Sequence, residues 1–242
     1  MTHGEQIINP YFIFNGVNSR AMGIIVTSMP AVCRPKRRVE TIDVPGRNGV
    51  LHVDDGSYEN YTKTVECAII KRANIDAICA WLTGSGTAIF STEPDKYYRV
   101  RIDNAISIEQ MMKVFQKFQV HFDTHPFKYS VNETDDQVIL QQPSLLYNRG
   151  TVEAEPTITV VGSGTVTLSI NGKGYRLSAV DGHVTIHSEV MEVETDGENK
   201  NGTYLPLQED DWLFPRFEVG ENRINWTGNV ERIEITPNWR WL

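Results

Sequence analysis

Cysteine is scarce in this chain: there are three, Cys33, Cys67 and Cys79, with no C-x-x-C spacing among 242 residues. An odd and scattered set supports neither a disulfide framework nor a zinc finger, and predicts buried, reduced thiols. Long apolar runs are missing as well. Stretches such as Ala68-Ile69-Ile70 fall far short of the roughly 18 residues that a membrane helix needs. No basic start leads into an apolar core at the N-terminus, so a soluble, cytoplasmically made protein is expected, and the sequons at Asn132, Asn201 and Asn225 read as chance. Neither a G-x-x-x-x-G-K-[ST] loop nor a dinucleotide fingerprint is present to cradle phosphates.

Positive charge is also short, and unevenly so. Lys and Arg number 23 against 31 Asp and Glu, a net charge of 23 − 31 = −8. Residues 1–130 hold 15 basic and 13 acidic side chains, or +2, whereas residues 131–242 hold 8 and 18, or −10. The asymmetry predicts two domains with different surfaces. It argues against nucleic acid as a partner of the second half, because phosphate binding needs a cationic face. The basic run Arg34-Pro-Lys-Arg-Arg38 is the local exception.

Helical periodicity is the next rarity. Its clear instance is Asn74–Gly84, where Asn74 can cap, Asp76 suits the positive end, and Gly84 can close the C-terminus. Ile75, Ile78, Cys79 and Leu82 fall on one stripe. Ser107–Val114 reads equally well as a second helix or as strand. Almost everything else alternates in the strand period and is punctuated by turn residues. Tyr11–Phe14 runs into Asn15-Gly16, a strong hairpin signal. Arg38–Val44 alternates before Pro45-Gly46, and Val50–Val53 precedes Asp54-Asp-Gly56. Thr62–Ile70, Thr87–Phe90, Tyr97–Ile102 and Lys117–Phe122 follow, then a polar linker over Ser130–Asp136. Beyond it, Thr157–Val161, Thr165–Ile170, Tyr175–Ala179, Val184–Ile186 and Val190–Val193 recur at roughly ten-residue spacing. The separators are Gly162-Ser-Gly164, Asn171-Gly172, Asp181-Gly182 and Asp196-Gly197. Phe214–Val219, Arg223–Trp226 and Val230–Ile235 complete a pattern typical of a sandwich or jelly roll.

Constellations that carry chemistry are thin. Gly84-Ser-Gly86 and Gly162-Ser-Gly164 lack the strand-turn-helix setting of a nucleophile elbow and read as turns. His183 and His187 share one strand face, about 13 Å apart at i and i+4, too far to bind one ion unaided. His121 and His125 repeat that spacing across a bend. The acidic pairs Asp54-Asp55 and Glu209-Asp-Asp211 lack the placement across a cleft that glycoside hydrolysis needs. No metal or cofactor is expected. Four of the five tryptophans, Trp212, Trp226, Trp239 and Trp241, lie in the final stretch. They admit two readings, core or interface anchors on one hand and sugar-stacking platforms on the other.

Several pieces, taken in order, resemble the distal tail proteins of siphophages. They are Phe14-Asn-Gly16 with Gly23-Ile24, Val44-Pro-Gly-Arg-Asn-Gly-Val-Leu51, Asp55-Gly-Ser-Tyr58, Ile75–Leu82, Asp95-Lys-Tyr-Tyr98 and Phe118–Tyr129 with Pro126-Phe127. Asn148–Ile158 is similar to the family's passage into its second domain. The resemblance implies a β-barrel-like N-terminal domain with one helix over residues 1–130, and a galectin-like or jelly-roll β-sandwich over residues 131–242. It implies a hexameric ring, a homo-oligomer joining the tail tube protein to the tail-associated tip protein, at the virion tail tip after assembly in the host cytoplasm. A receptor-binding protein or host glycan is a further implied partner.

The expectation is therefore an all-β, two-domain structural protein without catalysis, cofactor, nucleic-acid or membrane partner. Pro45, Gly46, Arg47, Asn48 and Gly49 form a rigid turn suited either to reach a neighbouring subunit or to close a plain hairpin, and Trp81 sits on the helix that covers the barrel. A −10 domain repeated around a ring repels its copies and is expected at the periphery. The rival readings are a carbohydrate-binding module using Trp212, Trp226, Trp239 and Trp241, and a wall-degrading hydrolase.

Overall fold

The structure, a computed structural model, describes residues 9–70, 74–103, 109–112, 115–131, 137–208 and 213–242. The chain divides into two compact units, Met1–Val131 with Leu242, and Asn132–Trp241. The expected linker residues 132–136 lie outside the described residues, as do Glu209-Asp-Asp211 and Trp212.

The first unit comprises β1 (Phe12–Phe14), β2 (Val17–Asn18), β3 (Ile24–Ser28), β4 (Arg37–Ile42), β5 (Leu51–Tyr58), β6 (Tyr61–Ile70), α1 (Ile75–Trp81), β7 (Gly84–Phe90), β8 (Lys96–Ile102), β9 (Glu109–Met112) and β10 (Phe115–Ser130). The main sheet is antiparallel in the order β2-β1-β7-β8-β10-β6-β3, and β9 adds to β10. Ser107–Val114 thus contributes a strand over 109–112 where a helix was the other reading. Long β10 pairs with β6 through Phe115–Thr124 and with β8 through Asp123–Ser130, shifting register between Thr124 and Lys128. One strand thereby serves two neighbours and bends the sheet around its aromatic core. There Phe122 meets Phe12, Phe14 and Phe90 edge-on at 5.5, 6.1 and 5.4 Å.

Helix α1 forms as the sequence predicts, with the Asn74 side chain accepting a hydrogen bond from the Ala77 amide at 3.1 Å. Ile78 and Leu82 are buried, but Ile75 and Cys79 are exposed. The apolar stripe is narrower than its spacing implied. Trp81 closes the core instead: its ring stacks on Phe12 at 5.6 Å, and its indole N–H donates to the Phe14 carbonyl at 3.2 Å. The thiols also differ from expectation, since Cys67 is buried whereas Cys33 and Cys79 are exposed. Burial pushes the Cys67 thiol up to about 12.

The second unit comprises β11 (Val138–Leu140), β12 (Ser144–Asn148), β13 (Thr157–Ile170), β14 (Lys173–His187), β15 (Glu192–Thr195), β16 (Glu198–Asn199), β17 (Tyr204–Pro206), β18 (Gly220–Thr236) and β19 (Arg240–Trp241). Strands run in the order β11-β18-β13-β14-β15-β16, with β12 on β18 and β17 on β14. Strands β13 and β14 are at least twice the predicted length because Gly162-Ser-Gly164 and Asp181-Gly182 are not turns, and β18 likewise runs on through Thr227-Gly-Asn229. Both separators lie within β13 and β14, Gly162 pairing with Gly182 and Ser163 with Asp181, and the β13–β14 bulge falls just beyond them. Between the pairs Gly164–Val180 and Val166–Leu177, one residue of β13 faces two of β14, and Ala179 takes a φ of 56°. On β18, the pairs Val161–Arg232 and Gly162–Val230 leave Glu231 as the extra residue. Each insertion flips the alternation. Buried positions are accordingly odd then even along β14 (Tyr175 and Leu177, then Val184 and Ile186), and even then odd along β18 (Asn222 and Ile224, then Ile233 and Ile235). Both halves of the kinked sheet therefore face a single core. A Cβ on Gly162 would lie 2.2 Å from the Asn229 carbonyl oxygen, so the kink needs glycine there.

The Asn148–Ile158 segment is knitted into this unit by polar contacts. Buried Asn148 donates to the carbonyls of Val152 and Phe217 and accepts from the Gly150 amide. The Arg240 guanidinium bonds the Glu153 carbonyl at 2.9 Å and the Glu155 carboxylate at 2.8 Å.

Candidate interaction surface

Strands β4 and β5 stand apart as a two-stranded sheet of their own. Their tip is built by Val44-Pro-Gly-Arg47: the Arg47 amide donates to the Val44 carbonyl at 3.1 Å, and Gly46 has a φ of 83°. Proline at the second position and a positive-φ glycine at the third match a type II turn. Gly49 also has positive φ, and Arg47 and Asn48 sit exposed at the end. At its root the arm is anchored. The Tyr58 ring meets Phe127 of β10 edge-on at 5.8 Å, and Arg37 lies over Tyr58 while bonding Asp54. Those two partners raise the Arg37 pKa above its ordinary value, the Tyr58 bond first.

The Asp54-Asp-Gly56 sequence, another turn signal, is a bulge in β5. Its carboxylates turn inward on the backbone, Asp54 accepting from the Gly56 amide and Asp55 from the Ser57 amide and hydroxyl. The Ser57 bonds lower the Asp55 pKa. Both acids are thus spent on local structure.

Register decides what the arm shows. Ile42 pairs with Leu51 and Glu40 with Val53, so those four share one face, while Val39, Thr41, His52 and Asp54 share the other. Ile42, Leu51 and Val53, with Val44 and Val50 in the tip, are each about 40% exposed. An isolated hairpin is marginal in water, and a contiguous apolar tip on one is a surface shaped for a partner. The sequence placed Pro45–Gly49 at this tip but missed its apolar flanks. Their alternation reads as half-buried strand, and sequence alone does not say which molecule covers them.

The other candidates separate. Trp81 is committed to its own core, as described. Trp239 is 3% exposed and tilts against Phe217 at 5.7 Å, while Trp226 and Trp241 are partly buried against the same cluster. Trp239 consequently offers no ring face to a sugar. His183 and His187 do not converge: the first lies 3.6 Å from Asp196 and the second 3.4 Å from Glu194. The Gly197 amide and then His187 lower the Glu194 pKa. His121 contacts the Thr64 hydroxyl at 2.9 Å. Among the described residues, no group of three or more His, Cys, Asp or Glu side chains could hold a metal ion, and no helix is long and apolar enough to cross a membrane.

Residues 6–124 match the family model of the phage tail protein RIFT-related domain. The whole fold is similar to the crystal structure of the Dit protein (gp 19.1) of phage SPP1, described as a paradigm of hub adsorption apparatus in Gram-positive infecting phages. The TM-score is 0.74 at 16% identity, covering 96% of this chain and 99% of that one. No curated protein matches in sequence.

Proposed function

We infer a structural part in the phage tail tip for this chain, whose first unit belongs to the phage tail RIFT-related family and whose two-unit fold is that of a siphophage distal tail protein. In this reading the protein is a hub component: six copies close a ring through the first unit and join the tail tube protein to a tail-associated tip protein. A galectin-like second unit points outward and holds a receptor-binding protein or touches host glycan. Assembly takes place in the host cytoplasm.

The apolar arm carries the reading. A ring uses heterologous contacts, in which one patch of a subunit meets a different patch of the next. A hairpin anchored at its root, with Ile42, Leu51 and Val53 on one face, is such a one-sided projection. Charge supports the arrangement: residues 1–130 sum to +2 and tolerate crowding, whereas the −10 of residues 131–242 favours wide spacing of the second units. The sugar-stacking alternative finds no support in Trp239, which is buried. The test is the mass of the purified protein across a concentration series, with negative-stain images of the largest species. Six-fold rings are expected; a monomer at every concentration, both alone and with its tail tube protein, overturns the ring.

A further inference from the structure

Lys63 occupies a core-facing position of β6, and only 3% of it is exposed. Its ammonium lies over the faces of three rings, Tyr98 at 4.8 Å, Tyr61 at 5.5 Å and Phe90 at 5.6 Å. Its hydrogen bond goes to the Ala31 carbonyl at 3.2 Å. The nearby carboxylate is otherwise engaged, since Glu93 accepts from Lys128 at 2.6 Å and from the Tyr98 hydroxyl. Burial, the largest effect, lowers the Lys63 pKa; Cys33 and Glu93 oppose it, and Lys128 adds to it.

Ala31 belongs to residues 29–36, a strap without secondary structure that runs from β3 directly into the arm strand β4. Met29 packs against the core at one end, and at the other Pro35 is buried and the Lys36 carbonyl accepts from the Glu59 amide at 2.9 Å. Between them the caged ammonium grips the middle. A buried cation used only to fill space is readily replaced by an apolar side chain of similar volume, often at no cost in stability. Here the charge has a definite object, a loop carbonyl, and three ring faces that favour the charged form at that spot.

We propose that Lys63 is a positioning residue that clamps the strap at Ala31 and so fixes the direction in which the arm leaves the sheet. The proposal rests on the arm being the assembly contact for its consequence, but not for the clamp itself. In the present geometry the strap follows one path to the arm root; without the clamp it is held at its ends alone, and the arm samples a wider cone. A loosened arm must be ordered at the moment of contact, which raises the concentration needed for assembly.

A nitroxide on exposed Cys33, in a Cys79→Ser background that leaves only buried Cys67 unlabelled, reads the strap directly. Lys63→Met is expected to shorten the label's rotational correlation time at least twofold with unchanged far-UV circular dichroism, and to raise the concentration for half-assembly about tenfold. An unchanged spectrum overturns the clamp. A mobile strap with unchanged assembly keeps the clamp and removes the arm from the ring contact, which separates the two ideas. Should the Met variant fail to fold, the labelled wild-type protein serves between pH 7 and 11. There Glu93 is ionised and burial keeps Tyr61 and Tyr98 protonated. Mobility that rises below the ordinary lysine value of 10.5 supports the clamp, and a flat profile refutes it.

Discussion

The arm supplies the sharpest prediction. Replacing Ile42, Leu51 and Val53 together by Ser removes the apolar face and leaves the turn at Pro45-Gly46 and the Tyr58–Phe127 anchor intact. Full burial of such a side chain is worth roughly 1.5–3 kcal/mol. With about 40% of each still exposed in the single chain, covering the remainder contributes about 0.6–1.2 kcal/mol per residue. Three residues then give about 1.8–3.6 kcal/mol per subunit contact, which weakens association roughly 20- to 400-fold. The subunit's own stability changes little, because these side chains lie outside both cores. Sedimentation velocity over a hundredfold concentration range, with a thermal melt of the same samples, separates assembly from folding. A variant that forms the same oligomer at the same concentration as wild type refutes the arm as the contact; a large fall in Tm refutes the claim that the arm stands outside the fold.

Two further expectations follow from buried polar groups. Asn222 is fully buried, its amide donating to the Glu218 and Gly220 carbonyls and its oxygen accepting from the Glu218 amide and Asn171. Asn222→Ala strands these partners and destabilises the second unit by about 2–4 kcal/mol in urea unfolding, with the first unit's transition unmoved. Glu93 is pushed up by burial, but its bonds to Lys128 and the Tyr98 hydroxyl outweigh this and hold its pKa below the ordinary 4.5. It contributes stability that is fully present above about pH 4.5 and is lost as pH falls through its lowered value. Glu93→Gln should flatten that acid limb of the stability profile; an unchanged profile shows that other carboxylates govern it.

Turn signals show how far the sequence could be read. Asn15-Gly16, Asn171-Gly172 and Asp196-Gly197 are true hairpin turns, with both residues of each pair at positive φ, as a type I′ turn demands. Asp54-Asp-Gly56, Gly162-Ser-Gly164 and Asp181-Gly182 lie within continuous strands, where Gly56, Gly164 and Gly182 take positive φ and the residue before each does not. Composition is the same in both groups. What distinguishes them is whether the flanking strands go on pairing through them: Gly162 and Ser163 pair with both β14 and β18, and Asp181 and Gly182 with β13, and that pairing is non-local. The candidate surface divides in the same way. Pro45–Gly49 was legible because a proline-glycine turn is a local property, whereas Trp239 was ambiguous until Phe217 was seen against it.

The amino-acid order by itself determined the all-β character, the capped helix at Asn74, the acidic second half and the resemblance to distal tail proteins. All of these are carried by residues near one another in the chain or by simple sums over it. Tertiary structure alone decided that β13, β14 and β18 run through their glycines, that Trp81 and Trp239 face inward, and that the β4–β5 hairpin leaves its apolar face uncovered. Burial is a relation between segments far apart in sequence, and alternation states only that a face is apolar, not what lies against it.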